Sequence, residues 1–350
     1  MNDFAPRLIA WQARHGRHDL PWQQDRDAYR IWLSEIMLQQ TQVGTVIPYY
    51  LRFLARCPDI ASLALAPESE VLGLWSGLGY YARARNLHKA AKVVMSRHGG
   101  VFPRHSAAIG ELPGIGRSTA AAIAAFAFGE RAAILDGNVK RVFTRCFGVA
   151  GFPGEKAVEL RLWALAEELL PHDGVDAYIQ GLMDLGATLC TRSKPACPRC
   201  PMADICVANL GNRVAELPTR RPKKTVPQRH ARLLVLMDAG RVLLEQRPPT
   251  GIWGGLLSLP ELPDECTDPA AWVADHLGCG VAGLQPLTPF QHTFTHFRLE
   301  IMPLLGEVSR HLPVAHQDSL TWLGAAELPD APLPAPIRKI LTALLAPHLL

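Results

Sequence analysis

LPGIGRSTA, residues 112–120, is the stretch on which the reading of this chain turns. A Pro-Gly pair, an isoleucine and a second glycine interrupt regular structure, and an alanine run follows at once, so a tight turn feeds a helix N-terminus. Just upstream, HSAAIGELPG (105–114) has the apolar spacing of a short amphipathic helix. Helix, Gly-x-Gly turn, helix is a hairpin. Its glycines, Gly114 and Gly116, expose backbone N–H groups at the positive end of a helix dipole, where a phosphate can be held. Arg117 adds charge without reading sequence, and Ser118 places a weak hydroxyl in the first helical turn. A turn of this kind also serves as a plain connection between helices, so it needs company before it means DNA.

Working outward, residues 6–212 read as almost entirely helical. AYRIWLSEIMLQQTQVGTVIPYYLRFLARC (28–57) and VELRLWALAEELL (158–170) carry apolar residues three and four apart, and Pro and Gly clusters divide the pattern into short helices. RVAELPTRRPKKTVPQ (213–228) is basic, proline-bearing and unpatterned, which marks a linker. Beyond it the texture changes. RLLVLMDAGRVLLEQR (232–247) is two leucine- and valine-rich runs around Asp-Ala-Gly, a hairpin signal. PAAWVADHLG (269–278) reads as a short helix, and HFRLEIMPLLGEV (296–308) and LTWLG (320–324) read as strands. The chain is therefore expected to be multidomain: a helical part over 1–212, a linker over 213–228, and an α+β domain over 229–350.

The bulk numbers fit a globular protein. The 350 residues are 48% hydrophobic and 19% charged, which excludes wholesale disorder. MNDFAPRLIAWQARHG holds no uninterrupted apolar stretch of the secretory kind, and TAAAIAAFAFG (119–129) is too short to cross a bilayer. A cytoplasmic protein with no membrane partner is expected. The net charge of +4 is uneven: residues 1–228 carry a surplus of eight positive charges and residues 229–350 a surplus of four negative ones. A basic first half suits a polyanion, although such a surplus is also common on solvated surfaces.

Cys190, Cys197, Cys200 and Cys206 crowd into 17 residues as C-x6-C-x2-C-x5-C, with Pro195, Pro198 and Pro201 interleaved. Thiolates so spaced can close on one metal centre from a single loop, and zinc and an iron–sulfur cluster fit the spacing equally well. In LSEIMLQQTQV (33–43), Leu33, Ile36, Met37 and Gln40 follow helical spacing and leave Glu35 at the border of the buried face. A carboxyl held against apolar surface has a raised pKa and can act as a general acid; a solvated helix glutamate is the plainer alternative. Gln39, Gln40, Thr41 and Gln42 offer amides and a hydroxyl for hydrogen bonds to bases. ILDGNVKRVFTR (134–145) offers Asp136, either a simple helix N-cap or a fixed carboxylate beside cationic chemistry. GLWSGLGYYARARNLHKAA (73–91) mixes glycines, tyrosines and cations, as a loop that wedges into a base stack would, or equally a surface loop with core tyrosines.

Taken together and in this order, EIMLQQTQ, LPGIGRSTA, LDGNVKRV and the cysteine cluster resemble the helix-hairpin-helix DNA glycosylases, and more narrowly the adenine DNA glycosylases of the MutY type. GIWGGLLSLPE (251–261) and HTFTHFRLE (292–300) extend the resemblance over nearly the whole chain. It implies a six-helix barrel over about 21–132, an iron–sulfur cluster domain built from about 1–20 plus 133–212, and a Nudix-like C-terminal domain. It also implies a [4Fe–4S] cluster rather than zinc on Cys190, Cys197, Cys200 and Cys206, a monomer, and a duplex substrate with adenine opposite 8-oxoguanine or guanine. The roles it implies are Glu35 as the acid that protonates adenine, Asp136 as the stabiliser of the sugar cation, and Asn138 as its orienter. Gln40, Thr41, Leu78 and Tyr80 would surround the purine pair, and Phe294, Thr295 and His296 would sense 8-oxoguanine.

Two tests narrow this further. Nudix hydrolases hold magnesium with G-x5-E-x7-R-E-x2-E-E, whereas LLSLPELPDECTDPAAWVADHLG after Gly255 has neither an Arg-Glu nor a Glu-Glu pair. The fold can persist without that hydrolysis, with Trp253 and the 292–296 segment as candidates to bind an oxidised base, although structural packing explains Trp253 equally well. The rival reading is an endonuclease III-type glycosylase with lyase activity on oxidised pyrimidines, which needs an amine in the hairpin. Ser118 stands there instead, so base release without strand cleavage is expected. A lesion-binding protein without catalysis is the other alternative, and the Glu35/Asp136 pair argues against it.

Overall fold

The computed structural model describes residues 3–221, 226–294, 296–313 and 319–345. Its helices are α1 (Phe4–His15), α2 (Ala28–Leu38), α3 (Val43–Arg56), α4 (Ile60–Leu65), α5 (Glu68–Trp75), α6 (Ala82–His98), α7 (Ser106–Ile109), α8 (Arg117–Phe128), α9 (Gly137–Cys146), α10 (Lys156–Glu168), α11 (Val175–Asp184), α12 (Val207–Leu210), α13 (Pro269–Leu277) and α14 (Ala335–Leu345). The chain divides into two compact units, Met1–Leu65 with Asn86–Lys223, and Ala66–Arg85 with Lys224–Leu350.

The first unit is helical, as the periodicity predicts. Asp27 caps α2 by accepting from the Arg30 amide at 2.9 Å, satisfying a donor the helix cannot. Trp32, Leu33 and Met37 are fully buried on this helix, so truncating Leu33 to alanine would cost about 2–5 kcal/mol. The alanines of α8, Ala120 to Ala125, are buried too, and their small side chains let α2 and α8 pack closely. The apolar stretch 28–57 is two helices rather than one. The break falls at residues 39–42, where Gln40 takes a left-handed φ of 60°. In the hairpin, Gly114 has φ 79°, and a Cβ there would lie 2.6 Å from the Asn86 Cβ; both facts require glycine. A second core gathers Phe4 and Leu8 of α1 with Phe143, Tyr178 and Leu182; Phe4 meets Phe143 edge-on at 5.9 Å.

The second unit joins Ala66–Arg85, including α5, to a mixed sheet. Strands β1 (Gln228–Asp238), β2 (Arg241–Gln246), β3 (Leu257–Ser258), β4 (Glu261–Leu262), β5 (Cys279–Val281), β6 (Gln285–Pro286), β7 (Phe290–Thr293), β8 (Arg298–His311) and β9 (Leu320–Leu323) form it. The path runs β3-β2-β1-β8-β5, with β4 on β1, β6 and β7 on β8, and β9 on β2. Among the described residues, only β1 and β8 pair in parallel, from Gln228↔Arg298 to Met237↔Glu307. The expected hairpin closes through Ala239 and Gly240, both left-handed at φ 46° and 75°, which matches the twist of the flanking strands. Alternation along β1 sends Leu233 and Val235 to one face and Leu234 and Leu236 to the other. Ile337 and Leu341 of α14 cover the first face, and Val273 and Leu277 of α13 the second. No helix among the described residues is long and apolar enough to cross a membrane.

Candidate active site

Asp136 ends an extended segment and caps α9. Its Oδ1 accepts from the Val139 amide at 2.8 Å, and its Oδ2 accepts from Asn138 Nδ2 at 3.2 Å. Those bonds and the charge of Arg141 favour the carboxylate, yet burial outweighs them and raises the Asp136 pKa above the ordinary aspartate value. The cap is thus real and does not exhaust the residue. One residue earlier, the Leu135 amide donates to Ser118 Oγ at 3.0 Å, tethering the Asp136 segment to the first turn of α8.

Glu35 lies on α2 between fully buried Ser34 and Ile36 and opens into a cavity of about 330 Å³. Trp22, Ile31, Leu38 and Phe126 supply apolar wall; Arg17, Gln180 and Ser34 supply polar groups. Burial pushes the Glu35 pKa up to about 8, and repulsion from Asp136 adds to it. The two carboxyls, far apart in sequence, therefore sense one another. Asp184, 1% exposed, organises the polar side: its oxygens accept from Arg17 Nε at 2.7 Å, the Arg17 amide at 2.9 Å and Gln180 Nε2 at 2.9 Å.

Arg141 escaped the sequence reading, although Asn138 and Arg141 stand one helical turn apart in LDGNVKRV. Its Nη2 donates to Asn138 Oδ1 at 2.8 Å and to the Gly186 carbonyl at 2.7 Å, and its Nε donates to the Cys190 carbonyl at 2.7 Å. A single guanidinium thus spans from the partner of Asp136 to the cysteine loop. The close approach depends on Gly186, in the π-helical turn Leu185–Leu189 that continues α11; a Cβ there would lie 2.5 Å from the Asn138 Cβ.

Cys190, Cys197, Cys200 and Cys206 line one small cavity with Arg145 and Cys146. Buried Arg145 donates to Cys190 Sγ at 3.4 Å and to the carbonyls of Thr191 at 2.7 Å and Leu217 at 2.8 Å. Among the described residues, no three Cys, His, Asp or Glu side chains converge as a single ion requires. Four sulfur donors around one cavity, with a buried cation to offset their charge, suit a cluster of several irons.

The remaining candidates are placed as follows. Arg117 pairs with Glu167 and stacks over the Trp163 ring, 3.8 Å from its centroid, so its charge has a partner within the chain. Gly116 precedes α8 with open space where a Cβ would stand. Gln40 is exposed in the α2–α3 break, and the Thr41 amide donates to the Leu38 carbonyl at 3.2 Å. In the second unit, Leu78 is buried, whereas Tyr80 is half-exposed at φ 50°. Phe294 stacks on Phe297 at 4.5 Å, meets His292 edge-on at 4.7 Å and lies 6.0 Å from the Trp253 ring. Trp253 is left-handed at φ 56°, and burial lowers the His292 pKa. His296 is exposed, and Thr295 lies outside the described residues.

Comparison with known proteins agrees with this layout. Residues 33–168 match the HhH-GPD superfamily of base excision DNA repair proteins, 190–206 the iron–sulfur binding domain of endonuclease III, and 232–343 the NUDIX domain. The chain is 36% identical over 342 residues to the adenine DNA glycosylase of Buchnera aphidicola subsp. Baizongia pistaciae (strain Bp), covering 97% of this chain and 96% of that one. It is 31% identical over 401 residues to the adenine DNA glycosylase of Homo sapiens, covering 96% of this chain and 73% of the human one. A solved thermostable thymine-DNA glycosylase superposes with a TM-score of 0.55 at 34% identity, covering 60% of this chain and 96% of that one. The helical core is therefore of the HhH-GPD type with an iron–sulfur domain, the C-terminal domain is Nudix-like, and the chain belongs to the adenine DNA glycosylase family.

Proposed function

We propose that this protein is a monofunctional DNA glycosylase that hydrolyses the N-glycosidic bond of adenine mispaired with 8-oxoguanine or guanine in double-stranded DNA. The observation that carries the reading is the coupled pair of carboxyls: Glu35, with a pKa near 8 on the wall of a cavity, and Asp136, held by Asn138 and the α9 amides. The glycosidic bond of a stacked base is inaccessible, so the adenine swings out of the duplex into the cavity beside Glu35. Neutral Glu35 donates its proton to the ring nitrogen N7, turning a poor leaving group into a good one. As the bond breaks, positive charge grows on the sugar and Asp136 stabilises it, by charge or by a transient covalent bond. Glu35, now a carboxylate, takes a proton from the water that attacks the sugar. Asn138 holds the Asp136 oxygen in place, and Arg141 holds Asn138.

The four cysteines would hold a [4Fe–4S] cluster that fixes the 190–206 loop. Gly114, Gly116 and Ser118 present the hairpin to the DNA backbone; Gln40, Thr41, Leu78 and Tyr80 surround the purine pair; Phe294, Thr295 and His296 sense the oxidised guanine. The protein acts as a monomer in the cytoplasm. Ser118 offers no amine for a Schiff base, so the abasic strand stays intact. The test is incubation with an A·8-oxoguanine duplex: free adenine and an alkali-labile site are expected. Strand cleavage without alkali, with borohydride trapping of protein on DNA, would contradict the monofunctional reading.

A further inference from the structure

Residues 76–81 link α5 to α6 in the first half of the sequence, and within the second unit they pack with the C-terminal half. Ser76, 8% exposed, donates Oγ to the Leu333 carbonyl at 3.0 Å, and the Tyr81 hydroxyl donates to the same carbonyl at 3.1 Å. The Gly77 amide donates to the Tyr81 hydroxyl at 3.3 Å. Arg338 of α14 donates Nη2 to Ser76 Oγ at 2.9 Å and to the Ala331 carbonyl at 2.6 Å. In these bonds the Ser76 and Tyr81 hydroxyls each donate to the Leu333 oxygen and accept from an N–H, so the donor and acceptor roles are mutually consistent. On the other side of the loop, Arg85 donates Nη1 to the Gly254 carbonyl at 2.6 Å.

Between these two anchors the chain is strained. Gly77 and Gly79 have φ of 105° and 72°, and Tyr80, with no such freedom, is left-handed at φ 50° with its side chain half-exposed. A bulky residue stays in that region only where its surroundings hold it. Arg83 braces the inside of the loop, donating to the Leu78 and Gly79 carbonyls at 3.3 and 3.2 Å. Gly254, the anchor for Arg85, directly follows Trp253, whose ring neighbours His292 and Phe294.

We propose that Arg338 and Arg85 are positioning residues through which the C-terminal half holds Tyr80 ready to wedge the duplex, so that this half helps unstack the target adenine as well as reading the opposite base. The proposal rests on the function proposed above, which gives Tyr80 the wedge. Arg85 joins the two tasks: one guanidinium ties the wedge loop to the turn that carries Trp253.

The experiment uses the full chain and the variants Arg338→Gln, Arg85→Met and, as the mildest change, Ser76→Ala. Amide hydrogen exchange without DNA should be at least about tenfold faster over 76–85 in the arginine variants and unchanged in α2, α8 and α9. Single-turnover adenine release should fall at least about tenfold on a paired duplex and return close to wild type when mismatches flanking the adenine already unstack it. Ser76→Ala should show both effects in weaker form. Unchanged exchange over 76–85, or a loss of rate that flanking mismatches do not restore, would overturn the proposal. Exchange is read without DNA, so it decides the positioning even if the wild type releases no adenine, a result that would overturn the function instead.

Discussion

Ser118 Oγ accepts a hydrogen bond from the Leu135 amide at 3.0 Å, one residue before Asp136. The hairpin is thereby tied to the segment that carries Asp136, and the Ser118 hydroxyl has a structural task of its own. Ser118→Ala leaves a buried amide unpaired, which should cost about 1–3 kcal/mol of stability. Single-turnover excision should slow as the Asp136 segment loosens, with no strand cleavage appearing. Thermal denaturation and adenine release check the two effects separately.

In the proposed mechanism the Glu35 carboxyl sets the pH response. It must be protonated to act as an acid, so excision should hold on the acid side of pH 8 and fall as pH rises through about 8. Stability follows the same group. Its folded pKa lies above the unfolded value, so its favourable contribution is complete below the unfolded pKa of 4.5 and declines as pH rises toward 8. Glu35→Gln keeps the shape without the charge, and above pH 8 it should be more stable than the wild type by about 1–3 kcal/mol. Denaturant titrations at pH 5 and pH 9 read the sign; a variant less stable at pH 9 would contradict it.

Arg141 holds Asn138 and the Cys190 carbonyl with one guanidinium. Arg141→Met keeps much of the apolar stem and leaves both acceptors without that donor. Excision should drop at least about tenfold through misplacement of Asn138. Iron content per chain should fall with it, because the same guanidinium steadies the cysteine loop through the Cys190 carbonyl. A variant with full iron and full rate would break this link.

The cysteine loop itself is tested by Cys200→Ser. A cluster bound by folded but not unfolded chain contributes its binding energy to folding. Iron and sulfide should fall sharply, and affinity for duplex DNA should weaken. Wild-type protein carrying zinc with no iron or sulfide, or a variant with full iron and unchanged DNA affinity, would contradict the cluster.

Much of this was legible in the sequence because the signals are local. Helical periodicity located α2, α3 and α10; the Gly-x-Gly turn with its alanine run located α8; the Asp-Ala-Gly turn located the β1–β2 hairpin; and the spacing of four cysteines located a metal loop. The break at Gln40 was not legible, because apolar spacing runs straight across it and only the left-handed backbone reveals the interruption. Arg141 and Asp184 were missed for a different reason. A charged residue in a helix reads as solvated until the partners that bury it are known, and those partners lie 45 to 49 residues away for Arg141 and 167 away for Asp184. The pairing of residues 66–85 with the C-terminal half is likewise a product of tertiary packing alone.

The central claim is that Glu35 protonates the departing adenine. Single-turnover release of adenine from an A·8-oxoguanine duplex, measured at pH 7 for the wild type and for Glu35→Gln, tests it most directly. The account predicts rapid release by the wild type, and DNA binding without detectable release by the variant. Release by Glu35→Gln at a rate close to wild type would contradict it.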